Sequence, residues 1–182
     1  IEGRGIQLDS HVTDYLRFKM PILPIPIGEL SGNAALDLKD FEFTGLGIED
    51  LLDTLNASGT ITSPEVTVKF GWIAQLLLSE NMLGKGPAEL AYDFTFRNRA
   101  IDATLVVKWA EVELTLKGTT TLPPRTISRE APKGKTDIRA SKIDYDVTVK
   151  YKGEIPHDLR KVVDENGALP IKLTGTLGKV KA

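Results

Sequence analysis

Apolar and polar residues alternate strictly over several long stretches of this chain, and this period of two limits the folds open to it. Such a period places every second side chain on one face of an extended strand. Antiparallel sheets that bury one face and leave the other in water show this pattern. The sequence therefore predicts a mainly β protein, either an antiparallel β-sandwich or a curved-sheet architecture. The clearest stretches are Val66–Trp72, Leu90–Phe96, Ile143–Tyr151 and Leu169–Leu173.

Two or three short helices are expected beside the strands. Apolar residues spaced three and four apart between Ile48 and Leu55 predict one helix. The carboxylates of Glu49, Asp50 and Asp53 are expected to stabilise its N-terminus. A second predicted helix runs from 156 to 165, because Pro suits a first helical turn and an Asn-Gly pair follows.

The alternation changes phase once within an early predicted strand. Leu36 and Leu38 are in phase with each other, but the next apolar residue of the run is Phe41. One extra residue in a strand restores the inward orientation of the residues after it. The shift therefore predicts a β-bulge near Lys39–Asp40.

Two identical tetrapeptides indicate an internal duplication. Val66–Lys69 and Val147–Lys150 both read Val-Thr-Val-Lys, and each is followed by an aromatic residue. Upstream, Leu36–Lys39 corresponds in the same order to Leu114–Lys117. The offsets are 147 − 66 = 81 and 114 − 36 = 78 residues. We therefore predict two related β-rich units of about 80 residues each.

The boundaries of these units follow from the correspondences. Residues 1–19 are an N-terminal segment, residues 20–98 the first unit and residues 99–182 the second unit. The second unit contains a polar, Pro-rich segment over residues 119–136, which predicts a long loop. Residues 1–4 read Ile-Glu-Gly-Arg, a factor Xa cleavage sequence, and are either a remnant of expression or a natural terminus.

The composition excludes several kinds of reactive centre. The chain has no Cys, which excludes a thiol nucleophile, a zinc knuckle and an iron–sulfur site. Its 2 His exclude a centre built from several His ligands. No phosphate-binding loop, zinc-binding helix or Ser-His-Asp signature is present. We therefore predict a protein that is not an enzyme and that has no cofactor.

Charge is distributed unevenly along the chain. Residues 28–93 carry 11 acidic and 3 basic residues, 3 − 11 = −8, whereas residues 94–182 carry +6 within a total of −2. The acidic and basic segments either attract each other within one molecule or support self-association. No Lys/Arg cluster is interleaved with aromatic residues, so nucleic-acid binding is not expected. No apolar run is long enough for a transmembrane segment.

Aromatic residues on predicted inward faces form the candidate ligand-binding set. On a curved sheet they could line an apolar cavity for a lipid or another hydrophobic small molecule. The alternative is that they fill an ordinary core. The set comprises Phe41, Phe43, Phe70, Trp72, Tyr92, Phe94, Phe96 and Trp109.

Two carboxylates form the only candidate metal site. Asp144 and Asp146 lie on one face of a predicted strand, roughly 7 Å apart. Oxygen ligands of this kind suit Ca²⁺, although two carboxylates do not complete a site. The alternative is a solvated surface in which Lys142 and Lys150 neutralise the carboxylates.

Segments near both ends of the chain resemble the LEA14-like family. The residues Met20–Leu30, with alternating Pro and apolar residues, resemble the early part of these late-embryogenesis-abundant class 2, or WHy, β-sandwich proteins. Ala168–Leu177 resembles their final strand, and the Val-Thr-Val-Lys order resembles their closing half in two copies. The resemblance implies a non-catalytic, stress-related role in protection or interaction. It implies no catalytic residues in this sequence.

A second resemblance is to takeout-like and mite group-7 proteins, which are tubular lipid-binding proteins. It is carried by Leu23–Pro26, Phe41–Leu46 and Gly84–Pro87. It implies a curved sheet that encloses a hydrophobic ligand. Here the chain ends in a predicted strand, where that family has a long helix.

The sequence therefore supports three functional hypotheses. The first is a LEA14-like protective or interaction protein, and the second is a lipid-binding module with an apolar cavity. The third is a self-assembling extracellular or envelope subunit, because many strands could end as sheet edges. An exported or cell-envelope protein is favoured over a cytoplasmic one.

Overall fold

Nine strands of the described chain form one antiparallel sheet in which each strand pairs with the next along the sequence. The computed structural model describes residues 2–14, 27–70, 84, 86–127, 134–155 and 157–181. Within these residues the two α-helices are α1 (Ser10–Asp14) and α2 (Ile48–Thr54), and 3₁₀ turns span Ile138–Ala140 and His157–Leu159. The strands are β1 (Glu2–Leu8), β2 (Ile27–Glu42), β3 (Asn56–Phe70), β4 (Ala88–Arg97), β5 (Ala100–Lys108), β6 (Val112–Thr121), β7 (Lys142–Tyr151), β8 (Ala168–Thr176) and β9 (Lys179–Lys181).

The core lies on one face of this sheet, as the alternation predicts. Along β4 and β7 buried and exposed residues alternate almost without exception. Tyr92, Phe96, Leu105 and Val149 are among the side chains with almost no exposure. The prediction of a mainly β protein is confirmed, and of the two architectures foreseen the structure has the open, curved sheet.

Strand pairing is irregular in the first part of the sheet and continuous in the rest. The pairings of β1 with β2, β2 with β3 and β3 with β4 each contain register shifts. The later pairings, from β4–β5 to β8–β9, contain none. One shift lies between Leu38 and Asp40, so the predicted bulge near Lys39–Asp40 is confirmed. It keeps both Leu38 and Phe41 on the inner face.

Two glycines sit opposite aromatic residues in neighbouring strands. Gly59 pairs with Phe94, and Gly118 pairs with Tyr145. A Cβ atom at Gly118 would lie 2.0 Å from the Asp144 carbonyl oxygen, and one at Gly59 would lie 2.6 Å from the Asp37 carbonyl oxygen. Both positions therefore favour glycine, because a Cβ atom there would press against the backbone of the neighbouring strand.

The two helix predictions had different outcomes. The helix at 48–55 is present as α2, with Leu52 buried against the core. The helix over 156–165 is wrong, because the described residues there form the short 3₁₀ turn His157–Leu159 and then a series of turns. The Asp164 carboxylate accepts hydrogen bonds from the backbone N–H groups of Asn166 and Ala168, at 2.8 and 2.9 Å. This side chain stabilises a turn where Pro156 and the Asn-Gly pair predict a helix.

The strand registers do not support the internal duplication. Leu114 pairs with Val149, so the corresponding Leu36 should pair with Val68. Instead Leu36 pairs with Ile61, and Val68 pairs with Leu30. The shared tetrapeptide thus occupies different places relative to the neighbouring strand.

The predicted loop at 119–136 is shorter than expected and is held at its base. Strand β6 continues to Thr121, and the next residue, Leu122, is buried. Thr126 and Lys135 form a two-residue antiparallel bridge. The middle of the loop, residues 128–133, lies outside the described residues.

Candidate functional site

An apolar cavity of about 270 Å³ lies at the irregular end of the sheet. Its walls come from the inner faces of β1 to β4, from α1 and from the residue that follows α2. All of the described residues that line it are apolar. They are Ile6, Leu8, Val12, Ala34, Leu36, Leu38, Phe41, Leu55, Ala57, Ile61 and Phe94.

Small side chains and the register shifts create this space. Ala57 lies between Phe41 and Phe96 across the strands, so two large residues flank a methyl group. Ala34 faces Ile6 in the same way. Buried positions with small side chains leave volume that longer aliphatic residues would otherwise fill.

Polar contacts at one end of the cavity fix α1 against β2. The Thr13 hydroxyl donates to the Leu30 carbonyl oxygen and accepts from the Leu30 N–H, both at 3.2 Å. The Asp9 carboxylate accepts from the Val12 N–H at 2.8 Å. These contacts hold Val12 in the cavity wall.

The described side chains of the aromatic set predicted from the sequence divide into three groups. Phe41 and Phe94 line the cavity. The rings of Phe41 and Phe43 pack edge to face at 5.8 Å, and Phe43 is exposed. Tyr92, Phe96 and Trp109 are buried outside the described cavity lining. The Phe70 side chain and all of Trp72 lie outside the described residues.

Most of the cavity wall is aliphatic, and sequence reasoning did not assign it to a ligand site. The alternation places Leu36 and Leu38 on an inward face, but an inward face alone does not distinguish a cavity from a filled core. Val12 and Leu55 come from helical segments and carry no signal of this kind. Aromatic content was therefore a poor guide to the cavity.

A cluster of ion pairs holds α2 next to the cavity. The Asp53 carboxylate accepts hydrogen bonds from the guanidinium groups of Arg99 and Arg125. Arg125 also pairs with Asp50 at 3.1 Å, and Arg99 donates to the Pro123 carbonyl oxygen at 3.0 Å. The cluster joins α2 to the β4–β5 turn and to the segment after β6. Because Leu55 directly follows α2, the same contacts fix one wall of the cavity.

The two arginines change the titration of Asp53. Burial raises the pKa of this carboxyl group, but hydrogen bonds from Arg125 and Arg99 and their positive charges outweigh burial and lower its pKa below 3.8. Asp50 and Asp53 therefore contact distant arginines, whereas the sequence suggested a local role at the helix N-terminus. Arg99 reaches this position from a hairpin turn in which both Asn98 and Arg99 have positive φ.

The candidate Ca²⁺ pair makes an ion-pair bridge to lysine. Lys172 Nζ on β8 lies 2.6 Å from an Asp144 oxygen and 2.9 Å from an Asp146 oxygen. Hydrogen bonds to both carboxylates raise the pKa of Lys172. The neutralising residue is therefore Lys172, whereas the sequence suggested Lys142 and Lys150. In the part of the chain that the structure describes, no group of three or more His, Cys, Asp or Glu could hold a metal ion.

Comparison with protein families, curated proteins and solved structures gave no match to this chain. Among the described helices, none is both long enough and apolar enough to span a membrane.

Proposed function

We propose that this protein binds one acyl chain of a hydrophobic ligand in the cavity that strands β1 to β4 line. The observation that carries the proposal is the all-apolar described lining of a space of about 270 Å³. Apolar cavities of about 150 Å³ stay free of water and take up small hydrophobic molecules. A larger cavity of the same chemistry favours an alkyl chain over water, because no described wall residue offers water a hydrogen bond.

The dimensions of the cavity favour one chain over several. Its volume falls just below the range of roughly 300–1,000 Å³ usual for ligand pockets. The lining residues on β2 extend from Ala34 to Phe41, roughly 20 Å at the usual rise per strand residue. We infer an elongated ligand whose polar group stays at the surface, where water can solvate it.

We further propose that this role is non-catalytic. The polar groups nearest α2 are already engaged with one another in the Asp53 cluster. The protective or interaction role implied by the LEA14-like resemblance, and self-association through the acidic and basic segments, remain predictions. Acyl-chain binding is favoured over them because it explains why the cavity wall has no polar residue among those described.

A cavity-filling variant tests this proposal. In Ala57→Leu the added methyl groups enter the cavity, and we expect loss of at least about ten-fold in affinity for a fluorescent fatty-acid analogue. Ala91→Leu makes the same change on the exposed face of β4 and should leave the affinity unchanged. Circular dichroism checks that both variants fold, and Ala34→Leu replaces Ala57→Leu if the latter does not.

Native mass spectrometry of the protein expressed in a lipid-rich host gives an independent readout. We expect a co-purified acyl ligand on the unaltered chain and on Ala91→Leu, and little or none on Ala57→Leu. An unliganded protein that also fails to bind the fluorescent analogue would contradict the proposal.

A further inference from the structure

Three apolar side chains face water where β2 ends and the chain turns towards α2. Phe41 is 37% exposed, Phe43 is 49% exposed and Leu46 is fully exposed. We call these three residues the apolar tip. A cluster of large apolar groups in water carries a free-energy cost and usually marks a surface that contacts another apolar phase.

The backbone that carries the apolar tip is held in place from both sides. The Thr54 hydroxyl donates to the Thr44 carbonyl oxygen at 2.6 Å and accepts from the Thr44 N–H at 3.0 Å. The Leu46 N–H donates to an Asp50 carboxylate oxygen at 3.3 Å. Gly45 has φ +115, and a Cβ atom there would lie 2.3 Å from the Asp50 Cβ atom. These contacts fix a conformation that points Phe43 and Leu46 outwards.

The apolar tip is continuous with the cavity. Phe41 belongs to both, because it lines the cavity and is partly exposed. Its ring packs against Phe43, which extends the apolar surface from the cavity wall into solvent. A second lining residue, Leu55, lies at the other end of the short segment that contains Leu46 and α2. An acyl chain that passes this point therefore meets apolar surface from outside to inside.

We propose that the apolar tip inserts into the surface of a lipid bilayer and that the acyl chain enters the cavity there. This inference rests on the proposed function and names the source of the ligand. Aromatic and aliphatic side chains at the end of a rigid loop are suited to the boundary between headgroups and acyl chains. A chain that moved directly from bilayer to cavity would avoid transfer through water.

The charges around the apolar tip do not favour an anionic bilayer over a zwitterionic one. Residues 39–54 contain five acidic residues and one basic residue, 1 − 5 = −4. Two of the carboxylates, Asp50 and Asp53, are paired with Arg99 and Arg125. Because the remaining charge is not basic, anionic lipid would not attract this surface. Insertion must then depend on apolar contact, with little effect of salt.

Vesicle co-sedimentation of the full chain tests the inference. We expect the unaltered protein to partition onto phosphatidylcholine vesicles, and added phosphatidylglycerol not to strengthen binding. The double variant Phe43→Ser with Leu46→Ser should lose at least about ten-fold in partitioning. Val162→Ser is the matched control, because Val162 is a 55% exposed apolar residue far along the chain in another turn. It should partition like the unaltered protein.

The same variants separate this inference from the proposed function. Neither Phe43 nor Leu46 lines the cavity among the described residues, so the fluorescent fatty acid should bind the double variant in solution within about two-fold of normal. If fatty-acid binding is normal but the protein does not bind vesicles, the proposed bilayer contact is wrong and the proposed function stands. The same holds if the double variant binds vesicles as well as the unaltered protein does. Absent fatty-acid binding would overturn the proposed function. Concentration-dependent dimers that the double variant abolishes would instead assign the tip to a second copy.

Discussion

The two ends of the sheet solve the same packing problem in different ways. In the irregular region, β1 to β4, strand pairs change register, and the inner face encloses a cavity. In the regular region, β5 to β8, the registers are continuous. On its inner face the side chains of Leu105, Leu116 and Val149 are almost completely buried. When the register is continuous, the inward side chains of neighbouring strands lie side by side and pack closely. A register shift moves these side chains out of line and leaves space between them.

The difference suggests that stability and binding are located in different parts of one sheet. The regular region buries large side chains in close contact, so its residues should contribute most to the free energy of unfolding. In the irregular region, the side chains that line the cavity adjoin an existing space and lack packing partners on that side. Changes there should affect ligand affinity more than folding.

Shortening a leucine in each region should show the largest contrast. Leu105→Ala leaves a new cavity in a packed core, and we expect a loss of about 4 kcal/mol in the free energy of unfolding. Leu36→Ala enlarges an existing cavity from a partly exposed position, and we expect a loss of about 1 kcal/mol. Urea unfolding followed by circular dichroism measures both. Equal losses would show that the two regions are packed alike.

Adding a methyl group at the two glycines that face aromatic residues, Gly59 and Gly118, should give the next largest contrast. Gly118→Ala places a Cβ atom against backbone atoms of Asp144 and Tyr145, and we expect a loss of about 3 kcal/mol. At Gly59 the nearest atom is the Asp37 carbonyl oxygen, at 2.6 Å, but the next two belong to the side chains of Leu38 and Phe94, which line the cavity. These side chains can move into the cavity and only one backbone atom must shift, so Gly59→Ala should cost less, about 2 kcal/mol. A larger loss at Gly59 than at Gly118 would show that the side chains around the cavity cannot move to accommodate the added methyl group.

Much of the strand architecture could be predicted from the sequence because a period of two is a local signal. The alternation predicts which side chains of each strand point inwards. Its phase change between Leu38 and Phe41 predicts the bulge. The pairing register could not be predicted in this way, because a repeated tetrapeptide does not specify which neighbouring residue it faces. The cavity was missed for a related reason: its volume depends on Ala57 lying opposite two aromatic residues from other strands.

Local sequence patterns could not predict the Asp53 cluster either. Asp53 and Arg125 are 72 residues apart, and Arg99 contacts Asp53 only because the β4–β5 turn lies beside α2. A carboxylate in a short helix is more simply explained by the helix itself. Only the order of the strands in the sheet brings these three side chains together.

Removing the Asp53 charge should have a moderate effect that depends on pH. In the folded protein the pKa of Asp53 is lowered, so its contribution to stability is present above the ordinary value of 3.8 and is lost as the pH falls through the lower, folded-state pKa. We expect Asp53→Asn to reduce the free energy of unfolding by about 1–2 kcal/mol at pH 7, since the group is partly exposed. The difference from the unaltered protein should shrink below pH 3.8.

The control for this prediction is Asp93→Asn, which alters an exposed carboxylate that accepts a hydrogen bond from Thr60 at 2.6 Å. Urea unfolding at pH 7 and at acidic pH should show a smaller effect for it and no comparable convergence. Asp53→Asn should also weaken fatty-acid binding, because the ion pairs hold Leu55 in the cavity wall. Unchanged affinity would show that α2 keeps its position without them.

The smallest effect is expected on the outer face of the regular region. Lys172→Gln removes the bridge to Asp144 and Asp146, but all three side chains are more than half exposed. Exposed ion pairs are screened by water and salt, so we expect no measurable change in the free energy of unfolding. We also expect no rise in melting temperature with added Ca²⁺, because two carboxylates provide too few ligands even without the lysine. A clear Ca²⁺-dependent rise would instead show that Lys172 stands in for a cation and that the outer face also binds a ligand.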